Sequence, residues 1–133
     1  MQLQVGVKIL LKNKESKYLL VRRSSEKYPE VGAMWDMVGG RIEPGTPLLK
    51  NLKREIFEET KLELVGEPKL IAAQDILKSD KHVVRLTYIG EARGDIVLDE
   101  ENTEYKWFSR QELNETDALD AYFKEVLENQ NFL

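Results

Sequence analysis

Three carboxylates, Glu55, Glu58 and Glu59, crowd into the short stretch KREIFEET, directly after Arg54. Clustered acids can hold a hard divalent cation through oxygen, or they can simply form a solvated face. The rest of the composition narrows the first possibility. The chain has no cysteine and a single histidine, His82, so thiolate and multi-histidine metal sites are excluded. Any metal must be held by oxygen, which favours Mg²⁺ or Mn²⁺ over zinc.

Helical geometry separates the two readings of the acids. With Glu55 at zero, Glu58 falls at about 300° and Glu59 at about 40°, so all three share an arc of about 100°. Leu48, Leu52 and Ile56 fall at about 20°, 60° and 100° on the same wheel. Glu55 and Glu59 therefore overlap the apolar stripe. Acids placed there lose hydration and repel one another unless a cation sits among them.

The element that carries these acids is a helix expected to begin at Pro47 with Thr46 as its cap and to end near Thr60–Lys61. Before it runs the turn GGRIEPG. Gly39 and Gly40 allow positive φ and close backbone approach to a ligand. Alternating apolar residues predict strands at 3–12 and 17–23, and a short one at 35–38. Further strands are expected at 62–78, interrupted at Gly66–Pro68, at 82–93 and at 103–109. Ser109 should open a short helical turn, and 117–130 reads as an amphipathic helix. This order implies an α/β protein whose mixed sheet is packed by helices on either face.

A length of 133 residues suits one domain spanning 1–133. The net charge of −4 argues against a nucleic-acid polymer as partner. There is no signal-peptide pattern and no apolar run long enough for a membrane span, so a cytoplasmic protein is expected.

From Gly40 to Leu62 the chain resembles the signature of the Nudix (MutT-like) hydrolases. Gly40, Arg54, Glu55, Ile56, Glu58, Glu59 and Leu62 match it in position without a gap. The flanks WDMVGGRIEPG and EENTEYKWFSRQEL resemble the family as well. Two positions depart, with Thr46 where the family has Glu and Lys61 where it has Gly. That Glu commonly pairs with the signature Arg, so Arg54 needs another partner, for which Glu43 and Glu58 are candidates.

The resemblance implies the Nudix fold (α/β/α) and hydrolysis of a nucleoside diphosphate linked to another group. Mg²⁺, with Mn²⁺ as an alternative, would be held by Glu55, Glu58, Glu59 and the Gly39 carbonyl. Glu55 would be a further ligand or the base that orients water, and Arg54 would keep the acids in register. A late acid is also implied, from Glu100, Glu101 or Glu104, with Glu101 favoured. Arg23 and Arg41, and with them Arg22, are candidates for phosphate or base contact. Trp35 and Trp107 are expected in the core and His82 at the surface. The partner would be a small nucleotide, with no membrane, and the protein a monomer or homodimer. The substrate stays open among a nucleoside triphosphate, ADP-ribose, a nucleotide sugar and a dinucleoside polyphosphate. Loops 24–34 and 74–82 are expected to set that choice. A Nudix-fold nucleotide-binding or regulatory module with weak catalysis is the alternative. A diphosphate isomerase is disfavoured by the short chain and the absence of cysteine.

Overall fold

The computed structural model describes residues 1–24, 26 and 34–129. A seven-stranded mixed sheet is built around β1 (Gln2–Lys12). One edge of β1 pairs in parallel with β6 (Lys81–Arg93) along its whole length. Its other edge is shared between two antiparallel partners. β4 (Val38–Arg41) takes residues 6–9, and β2 (Tyr18–Arg23) takes Leu11 and Lys12. β3 (Trp35–Asp36) and β7 (Asn102–Phe108) lie along β2, and β5 (Glu63–Leu77) closes the far edge against β6.

Because side chains alternate across a strand, β1 and β2 feed two cores at once. Val7, Ile9, Leu11, Leu19 and Val21 pack with Leu52 and Ile56 of α1 (Leu48–Thr60). Leu10, Tyr18 and Leu20 face the other way. There they meet Leu113 of α2 (Arg110–Glu115) and Phe123 and Leu127 of α3 (Ala121–Asn129). The sheet is thus covered on both faces, and its central strand is buried on both, as a parallel-paired strand requires.

Three expectations shift. The residue capping α1 is Pro47, not Thr46, and no side chain caps the helix. A residue before proline is pushed out of the helical region, which places the Thr46 side chain one residue too early. Thr46 instead closes the preceding turn, donating its N–H to the Glu43 carbonyl. The last helix starts at Ala121 rather than 117, because 118–120 runs beside β3: the Trp35 N–H donates to the Ala118 carbonyl and the Asp120 N–H donates to the Trp35 carbonyl. Asp120 then accepts from the Phe123 N–H at 3.0 Å, capping the helix there. Residues 74–82 are not a loop. They are paired strand on either side of a tight turn closed by Lys78 N–H to the Lys81 carbonyl. Of the other expected specificity loop, residues 25 and 27–33 lie outside those described. Among the described residues no helix is long and apolar enough to cross a membrane.

Candidate active site

α1 presents its acids in three depths. Glu59 is only 4% exposed, Glu55 is half-buried and Glu58 is exposed. The helical wheel anticipated this gradient for Glu55 and Glu59. Glu59 Oε2 accepts the Gly39 N–H at 2.8 Å, and Oε1 faces Asn102 Nδ2 at 3.5 Å. Burial pushes the Glu59 carboxyl up to about 7, although Lys8 and the Gly39 N–H pull it down. Glu55 is also pushed up, first by burial and then by Glu58, with Glu101 adding to the effect and Arg54 opposing it.

Close backbone approach places these acids. Gly39 has φ 148°, and a Cβ there would stand 2.0 Å from the Val7 carbonyl oxygen. Only glycine fits. On Gly40, a Cβ would stand 2.9–3.0 Å from the Glu55 carboxylate. Gly40 therefore forms the wall against which Glu55 rests.

Arg54 is held by Glu43 Oε1 at 2.7 Å and Asn51 Oδ1 at 2.8 Å, with Glu55 Oε1 at 3.3 Å. Glu43 is one of the two partners expected for it. Asn51 was not anticipated, although it falls at about 320° on the wheel, inside the arc of the acids. The far end of α1 recruits the late loop. The Val97 N–H bonds the Thr60 carbonyl at 3.0 Å, and the Asp99 N–H reaches the Glu59 carbonyl at 3.2 Å. These are the carbonyls a helix leaves unpaired. The loop so anchored carries Glu101 close enough to act on Glu55. Glu100 shares that exposed turn. Glu104 is paired with Arg22 at 2.6 Å, away from the acids.

On the other side of Gly40 lies a cleft of about 310 Å³. Among the described residues, Lys8, Arg23, Arg41, Lys78 and Arg85 line it against two carboxylates, Asp36 and Asp120. Lys8 pairs with Asp36 at 3.0 Å, and Arg85 with Asp120 at 2.7 Å. The Arg85 guanidinium also lies 5.3 Å over the Tyr122 ring. The Arg41 guanidinium is pulled below its usual range by burial and by the positive charges of Arg85 and Arg23. Two of these cations, Arg23 and Arg41, were anticipated. Lys8, Lys78 and Arg85 were not, because register between distant strands brings them here.

Other expected residues stand apart. Trp35 packs edge-on against Phe108, ring centroids 5.2 Å apart, with the Arg22 guanidinium 5.0 Å from its ring. Trp107 packs against the α1-side core. His82 lies partly exposed beside Asp75 at 2.6 Å. Among the described residues, no group of three or more Asp, Glu or His side chains is already gathered to hold a metal ion.

Comparison with known proteins settles the family. The profile of the NUDIX domain matches residues 2–129. The chain belongs to the Nudix family. An RNA pyrophosphohydrolase of Bartonella bacilliformis is 30% identical over 123 residues, which cover 86% of this chain and 64% of that protein. The chain thus spans a little under two thirds of that curated relative. A MutT protein of Methanosarcina mazei is similar in structure, with a TM-score of 0.84 and 29% identity over 96% of this chain and 91% of that one. A MutT Nudix hydrolase of Burkholderia pseudomallei has the same fold, with a TM-score of 0.79 and 21% identity over 96% and 98%. The mixed sheet with helices on both faces is the Nudix fold.

Proposed function

We propose that this chain is a divalent-metal-dependent pyrophosphohydrolase. It would cleave the diphosphate linkage of a nucleoside triphosphate or another nucleoside diphosphate derivative. One juxtaposition carries the reading: the acidic row of α1 and the basic cleft meet at Gly40. On a chain of net charge −4, a cleft whose described lining carries three more cations than carboxylates is a local inversion suited to a polyanion. At about 310 Å³ it is at the small end of ligand sites, which favours one nucleotide unit over two.

The residues fit a hard cation by chemistry. Glu55, Glu58, Glu59 and the Gly39 carbonyl offer oxygen only, which suits Mg²⁺, with Mn²⁺ as an alternative. Burial and mutual repulsion push Glu55 up, a cost that a cation would offset. When bound, the ion supplies charge neutralisation on phosphate and activation of water. Arg23, Arg41 and Arg85 bind and orient the phosphates by charge-assisted hydrogen bonds. Arg54 keeps Glu55 in register, and Glu101 is the late acid whose charge acts on Glu55. A protein of cytoplasmic location acting on small nucleotides is the setting this reading assumes.

The test is product release from a panel of nucleoside triphosphates, ADP-ribose, nucleotide sugars and dinucleoside polyphosphates, with Mg²⁺ and with Mn²⁺. The RNA pyrophosphohydrolase relative adds an RNA to that panel. Metal-dependent release is expected, with Glu58→Gln reduced at least ~100-fold, the scale on which lost charge stabilisation reduces turnover. Absent turnover in the wild type rejects catalysis and leaves the nucleotide-binding module, whereas equal turnover in both proteins rejects the role given to Glu58.

A further inference from the structure

Asn51 lies in the first turn of α1, its N–H bonded to the Pro47 carbonyl, and a side-chain amide buried there is costly unless it has partners. It is fully buried. Its Oδ1 accepts from the Glu43 N–H at 3.1 Å and from Arg54 Nη2 at 2.8 Å. Its Nδ2 donates to the Arg41 carbonyl at 3.4 Å. One amide thus touches both halves of the site. The acceptor end fixes the guanidinium that rests on Glu55, and the donor end fixes the backbone of Arg41, which lines the cleft. Thr46, where a partner for Arg54 would be expected, contributes only its backbone to the turn.

We infer that Asn51 is the positioning residue that joins the basic cleft to the acidic row, its oxygen holding Arg54 and its nitrogen holding Arg41. The kinetic part of this inference rests on the hydrolase reading above. The geometric part does not. Removing a buried amide with three partners takes one hydrogen bond from each, and Arg54 is left with Glu43 and the longer contact to Glu55.

Two substitutions separate the two ends. Asn51→Ala removes both, while Asn51→Asp keeps the acceptor and loses the donor. On the best nucleotide of the panel, Asn51→Ala is expected to lower kcat at least tenfold and raise KM at least fivefold. Asn51→Asp is expected to recover kcat to within threefold of wild type while KM stays raised. A residue that served only to stabilise the fold would not give this split. The inference is overturned if Asn51→Ala leaves kcat and KM unchanged, or if Asn51→Asp recovers nothing.

A second measurement needs neither metal nor turnover. In a double-mutant cycle of Asn51→Ala with Arg54→Ala, unfolding constants are expected to be coupled at least fivefold. Coupling below twofold overturns the inference. If wild type has no turnover, the hydrolase reading falls and the cycle alone decides Asn51. If Asn51→Ala does not fold, the kcat and KM of Asn51→Asp decide it.

Discussion

The two faces of the sheet are built from the same strands and treat polar groups in opposite ways. On the α2–α3 face every buried helical side chain is apolar: Leu113, Phe123, Val126 and Leu127. Its polar groups sit at helix starts, where Ser109 and Glu112 form a reciprocal capping box. On the α1 face the helix has no side-chain cap, yet it buries Asn51, Glu59 and Thr60 beside Leu52 and Ile56. Two glutamates summarise the contrast. Glu112 is held down at about 2 by the Ser109 N–H and by Lys106, whereas burial pushes Glu59 up to about 7. One face spends its polar groups on stability. The other keeps acids where they cost stability, and that is the face the proposed chemistry needs.

The largest effect should come from the apolar face. Phe123 is fully buried, and Phe123→Ala should cost about 3–5 kcal/mol in chemical denaturation, close to unfolding the domain. A loss below 1 kcal/mol would mean that this face is not the stabilising one.

The α1 face should show itself through pH. A carboxyl whose folded pKa is raised from 4.5 to about 7 adds stability below 4.5 that disappears as pH rises through 7. In metal-free buffer, stability should therefore fall by about 3 kcal/mol between pH 5 and 8, and Glu59→Gln should flatten that slope. Glu112 has the opposite sign. Its contribution is present above 4.5 and is lost as pH falls toward 2. A Glu59→Gln profile as steep as wild type would remove the contrast between the two glutamates.

Smaller effects refine the comparison. Ser109→Ala should cost about 1 kcal/mol in thermal or denaturant melts, as loss of a working cap does. Lys61 ends α1 in the left-handed region, at φ 64°. Lys61→Gly should stabilise the chain by up to about 1 kcal/mol by removing that strain, with no change in the cap hydrogen bond to Phe57. A loss of stability would show that the Lys61 side chain over Phe57, 4.9 Å from its ring, outweighs the strain.

The contrast between the faces also explains what could be read in advance. Strands and helices were legible where local period reports burial, as in the alternation of Val7, Ile9 and Leu11 against Leu10. The acids were legible because a wheel compares residues on one rigid element, and Glu43 was within reach of Arg54 from the turn that precedes it. The cleft was hidden. Lys8, Arg85 and Asp120 come from β1, β6 and the residue before α3, and only strand register brings them together. Thr46 does not cap the helix, because the effect of the following proline outweighs its own capping propensity. Asn51 falls in the arc of the acids rather than on the apolar stripe, so the wheel by itself does not mark it as buried.

The attachment of residues 97–99 to the end of α1 has a consequence in time. The amides of Val97 and Asp99 lie in a stretch without regular secondary structure, where solvent exchange is ordinarily fast. Here both bond to carbonyls of Thr60 and Glu59. Their exchange must wait for the last turn of the helix to open. In deuterated solvent these two amides should persist as long as those of the final turn.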